Sequence, residues 1–119
     1  MAKNGAIEPS YNVPGSIPQW KEAVIDRAQS NYETFKNHTS ILFWSLGNES
    51  YAGDDIEAMN QYFMDQNDGR LIHYEGVFVN RSYEDKISQV ESRMYATPDE
   101  VRQYLDQNAK KPYVLCEYM

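Results

Sequence analysis

Cysteine is almost missing from these 119 residues: Cys116 is the only one. A single thiol excludes an internal disulfide framework and any metal site built from several thiolates. Its apolar neighbours Tyr113, Val114 and Leu115 mark it as a small packing residue rather than a nucleophile. Basic charge is scarce too, with 11 Lys and Arg against 18 Asp and Glu and a formal net charge of -7. That balance argues against a sequence-independent grip on nucleic acid or anionic lipid. No apolar run approaches the roughly 18 to 20 residues that cross a bilayer. Residues Met1 to Ala6 lack the apolar core of a signal peptide, so the expected compartment is the cytoplasm.

What is present is an alternation of patterns. A capping-box spacing at Ser16, followed by Trp20, Val24, Tyr32 and Phe35 at helical intervals, predicts a helix over 16–35 with Trp20 in the core. The continuous run Ile41 to Gly47 reads as a strand buried on both faces, with Trp44 a second core aromatic. Asp54 and Glu57 repeat the capping-box spacing ahead of Ile56, Met59 and Phe63, a helix ending near Asn67-Asp68-Gly69. Leu71 to Tyr74 is a short strand, Gly76 to Lys86 a polar loop, and Ile87 to Met94 a weaker strand. Thr97-Pro98-Asp99-Glu100 combines an N-cap, a proline at the first helical position and a glutamate at the third, so a helix runs to about Asn108. Tyr113 to Glu117 is the last strand.

Strands alternating with helices imply an α/β domain with a parallel sheet. An open doubly wound sheet and a closed barrel both satisfy the pattern, and the absence of G-x-G-x-x-G favours the barrel. A whole (β/α)8 barrel takes about 250 residues, so residues 1–119 read as a single partial barrel domain, with 1–15 an irregular N-terminal segment.

Polar residues gather where these strands end: Asn48 and Glu49, Glu75, Arg93 and Tyr95, and Glu117. The carboxyl ends of barrel strands build active sites, and paired carboxylates with separated proton affinities cleave glycosidic bonds. Glu49 follows a buried-looking run directly and is the stronger candidate. Glu75 reads as a solvated or hydrogen-bonding loop residue. His73 and His38 lack metal-ligand spacing.

Phe43-Trp44-Ser45-Leu46-Gly47-Asn48-Glu49-Ser50 resembles the acid/base signature of the β-galactosidases of glycoside hydrolase family two. Lys36-Asn37-His38-Thr39-Ser40 is similar to the family's R-N-H-P-S lead-in, with Thr39 in place of proline. His73-Tyr74-Glu75-Gly76, Glu91-Ser92-Arg93-Met94-Tyr95 and Leu115-Cys116-Glu117-Tyr118-Met119 continue the resemblance in the family's order. It implies strands four to seven of a TIM barrel that hydrolyses terminal β-galactosides through a covalent galactosyl-enzyme. By that resemblance Glu49 is the general acid and base, Glu117 the nucleophile and Tyr95 a hydroxyl beside it, while Asn48 holds the sugar's 2-hydroxyl. The family also binds magnesium through the residue matching Glu49, with other ligands upstream of this sequence, and sodium through segments absent here. A β-glucuronidase or β-mannosidase relative shares the Asn-Glu pair. A noncatalytic carbohydrate-binding or complementing module is the reading from another class. The partners expected are a β-galactoside and the remainder of the barrel, or a homo-oligomer of the full enzyme. The family's His-x-Met-Gly-Asn continuation and its first three strands are not in this sequence, so negligible hydrolysis by this piece alone is expected.

Overall fold

Two parallel strand pairs, each joined by a crossover helix, make up the frame of the computed structural model, which describes residues 15–118. Most of the irregular segment expected over 1–15 lies outside the described residues, as does Met119. The order is α1 (Pro18–Phe35), β1 (Phe43–Ser45), α2 (Asp54–Gln66), β2 (Leu71–His73), β3 (Glu91–Met94), α3 (Pro98–Asp106) and β4 (Tyr113–Glu117), with single 3-10 turns at Glu75–Phe78 and Arg81–Tyr83. In register, β1 sets Trp44 against Ile72 of β2, and β3 sets Ser92 against Val114 of β4.

The core forms behind β1. Trp44 stacks on Phe63 of α2 at 5.4 Å and meets Tyr32 of α1 at 5.5 Å, with Ile56, Ile72 and Ile87 filling the space around them. The indole N–H donates to Asp68 at 3.0 Å, so burial of this large ring leaves no polar atom unpaired. Arg70 lies over the same ring at 5.2 Å. Its guanidinium donates to the carbonyls of Lys36, His38 and Ile41, stapling the connection between α1 and β1. Arg70→Ala strands three carbonyls and breaks the pair with Asp68. It is expected to cost about 3 kcal/mol, read as a lowered urea midpoint.

Several expectations are corrected. Trp20 is 47% exposed and lies outside the core, because a helical stripe does not disclose which side of it finds a partner. The run Ile41 to Gly47 is extended only over Phe43–Ser45 and is buried on one face, with Leu42 and Phe43 exposed. Neither early capping box forms: Ile17 and Gly53 are the N-caps of α1 and α2, and neither makes a side-chain cap. The Ser16 hydroxyl instead accepts from the Asp54 N–H at 3.0 Å, and the Gly15 carbonyl from that of Asp55, so the segment before α1 caps α2. The loop expected over 76–86 takes in most of the first 3-10 turn, which begins at Glu75, and all of the second.

The strand expected over Ile87 to Met94 begins only at Glu91. Ser88 sits in the left-handed region at φ 66°, where its hydroxyl accepts from the Tyr74 N–H. The seam between β2 and β3 is closed by Gln89, whose N–H donates to the Ile72 carbonyl at 2.8 Å while its side-chain oxygen accepts from the Ile72 N–H at 2.9 Å. The capping box at Thr97 forms as expected, and α3 ends at Asp106. Among the described residues no helix is long and apolar enough to cross a membrane.

Candidate active site

The carboxyl ends of the four strands carry Asn48 and Glu49, Glu75, Tyr95, and Glu117. The chain leaves β1 through Gly47 at φ 156° and turns through Glu49 at φ 51°, a left-handed conformation that a glutamate adopts only when its surroundings impose it. Asn48 and Glu49 are both exposed on this turn.

The residues after β2 impose the conformation. The Glu75 carboxylate accepts the Glu49 backbone N–H. The Tyr74 hydroxyl donates to the Ser50 carbonyl at 2.6 Å, and Asn80 donates to that of Ala52 at 2.6 Å. Tyr74 is fully buried, and burial pushes its phenol up to about 12, so it remains a proton donor. A side chain at position 76 would run into the Ser50 carbonyl and the Tyr74 ring, which is why glycine follows Glu75.

On the other side of the seam, Tyr95 follows β3 in the same left-handed region, at φ 54°. Its N–H donates to the Glu117 carbonyl at 2.8 Å and its hydroxyl to Glu117 Oε2 at 2.5 Å. A register shift between Arg93 and Met94 precedes this double tie. The bond to Glu117, then the Glu117 charge, then more weakly the Glu49 charge, raise the Tyr95 phenol above its ordinary value. The phenol therefore keeps its proton and offers it to a carboxylate. Tyr95 and Glu117 are thus tied directly to one another, while Glu49 follows β1 in the other strand pair.

Below this edge, His73 Nδ1 is 3.2 Å from the Ser45 hydroxyl and its Nε2 is 2.6 Å from that of Ser92. These contacts link β1, β2 and β3 side by side. Burial lowers the His73 pKa, with the Glu75 charge opposing, which favours the neutral ring that two hydroxyls can satisfy. Among the described residues no three His, Cys, Asp or Glu side chains converge. The described residues therefore offer magnesium no such cluster and do not by themselves fit the ion.

Sequence reasoning undervalued Glu75. It is 5% exposed rather than solvated, and of the alternatives weighed for it the hydrogen-bonding one describes it. No local sequence signal marks it, since the group it holds, the Glu49 N–H, lies 26 residues away. Cys116 is partly buried on β4, and the glutamate beside it, not the thiol, faces Tyr95.

The family model for the TIM barrel domain of glycosyl hydrolases family 2 matches residues 1–119. The chain is 67% identical over 117 residues to the beta-galactosidase large subunit of Lactobacillus helveticus, covering 98% of this chain and 19% of that protein. It is 57% identical over 117 residues to the beta-galactosidase of Clostridium acetobutylicum, again 98% of this chain but 13% of the relative. Against the beta-galactosidase of Streptococcus thermophilus identity is 41% over 138 residues, 98% of this chain and 13% of the relative. The chain therefore spans a fifth or less of the length of these curated relatives.

Proposed function

The chain belongs to the TIM barrel domain family of the family 2 glycosyl hydrolases, and from that premise we propose that it supplies both catalytic carboxylates of a retaining β-galactosidase. The observation that carries the reading is the hydrogen bond from the Tyr95 hydroxyl to Glu117 at the carboxyl ends of one parallel strand pair, beside a second pair whose first strand leads into Asn48 and Glu49.

In this reading Glu117, held by the Tyr95 hydroxyl, attacks the anomeric carbon of the galactosyl group. Glu49 gives its proton to the glycosidic oxygen as that bond breaks, leaving a galactosyl ester on Glu117 and a carboxylate on Glu49. Glu49 then takes a proton from water as the water attacks the same carbon, which frees Glu117 and retains the anomeric configuration. The two carboxyl groups of a retaining enzyme stand about 5 to 5.5 Å apart. Strands on different sides of one barrel mouth provide such a gap. Asn48, on the turn beside Glu49, binds the sugar's 2-hydroxyl.

The four strands correspond to the fourth to seventh of the barrel, and 1–119 is one piece of that domain. The rest of the pocket, and the sodium site, come from outside it, so the piece alone is expected to turn over little substrate. Magnesium belongs to this proposal as an ion that Glu49 would ligate together with residues elsewhere, and no step above runs through it. The relatives named as large subunits suggest a partner subunit for the assembled enzyme, and the cytoplasm is the compartment proposed.

Trapping tests the reading. A full-length relative carrying this segment, treated with a 2-deoxy-2-fluoro galactosyl fluoride and digested, is expected to show the added sugar on the peptide containing Glu117. A sugar found on any other residue refutes the assignment.

A further inference from the structure

Glu75 is a carboxylate at 5% exposure with one oxygen on the Glu49 N–H, while its other oxygen, Oε2, is buried and finds no partner among the described residues. Burying a carboxylate with so few donors is costly, and an apolar residue of the same size would be the cheaper occupant. What the carboxylate gains in return is a grip on the one backbone group that fixes the left-handed turn of Glu49. The neighbouring grip of Tyr74 on Ser50 holds the next peptide, and Gly76 lets the two segments approach this closely.

We propose that Glu75 is a positioning residue for the acid and base, aiming the Glu49 side chain by holding its amide. The inference rests on the reading of Glu49 given above. It makes no claim that Glu75 touches the sugar or carries a proton. A displaced acid hurts proton delivery to the leaving group, so the damage grows with the leaving group's need for that proton. A merely structural residue, by contrast, lowers the share of folded enzyme and scales every substrate alike.

The experiment compares kcat/KM, which reports glycosylation, for lactose and for dinitrophenyl galactoside in a full-length relative carrying this segment. Glu49→Gln is the reference. Glu75→Ala and Glu75→Asp, which remove or shorten the reach to the amide, are expected to lose up to about 10²-fold on lactose and less than about threefold on the activated substrate. Glu75→Gln keeps an oxygen for the amide and is expected to stay within about threefold of the parent on both. Should Glu75→Ala fail to fold, the contrast between the glutamine and aspartate variants carries the same information. Equal losses on both substrates, or a glutamine variant as impaired as the alanine one, overturn the proposal. If Glu49→Gln itself shows no dependence on the leaving group, the reading of Glu49 fails first and this inference falls with it.

Discussion

Glu117→Gln, in a full-length relative carrying this segment, is expected to reduce kcat on the order of 10⁴-fold or more for good and poor leaving groups alike. The substitution is nearly isosteric, and the amide oxygen still accepts the Tyr95 hydroxyl, so the tie between the ends of β3 and β4 survives. What is lost is the anionic oxygen that forms the ester. A neutral amide is too weak a nucleophile to replace it. Because bond formation to the sugar fails before the leaving group matters, an activated aglycone brings no relief. The measurement is steady-state turnover of lactose and dinitrophenyl galactoside, together with mass spectrometry of enzyme quenched during turnover. A covalent galactosyl adduct in the Glu117→Gln variant, or a loss confined to lactose, would show that Glu117 is not the nucleophile.

Glu49→Gln is expected to behave differently. Without a proton donor, kcat/KM for lactose should fall by about 10² to 10⁴-fold, whereas dinitrophenyl galactoside, whose leaving group departs as an anion, should keep most of its kcat/KM. Its kcat should nevertheless drop, since water must now attack the galactosyl-enzyme without a base, and the ester should accumulate. Azide needs no base to attack. Adding it should raise kcat on the activated substrate and yield β-galactosyl azide. A variant that azide leaves unimproved, or that is equally poor on both substrates, would remove Glu49 from the acid and base role.

How far the sequence discloses these positions depends on how local each determinant is. The helix after Thr97 is legible because its cap, proline and glutamate sit within four residues and bond to one another. The capping boxes at Ser16 and Asp54 have the same spacing and do not form: the Ser16 hydroxyl is claimed by an N–H far along the chain, and Asp54 lies inside α2, whose N-cap is Gly53. Spacing records opportunity; tertiary structure decides between claimants. The strand after Ile87 fails for a related reason, with Ser88 turned aside to serve Tyr74. Trp44 is legible as core because it lies in an unbroken apolar run, while Trp20, on a helical stripe whose side toward a partner the spacing does not tell, is not. Glu49 and Glu117 stand out in sequence through position and family resemblance. Glu75 does not, since its role is defined by a backbone N–H 26 residues away.

The seam at Gln89 has a consequence for stereochemistry. The two carboxylates proposed for catalysis sit in separate βαβ units, Glu49 in β1-α2-β2 and Glu117 in β3-α3-β4. Where the units meet, a side-chain amide and a few hydroxyls stand in for a regular ladder. On the proposed retaining reading, the gap across which an anomeric centre is inverted twice, and so ends as it began, spans this joint. On that reading, changes at Gln89, Ser88 or Ser92 would act on the gap without touching either carboxylate.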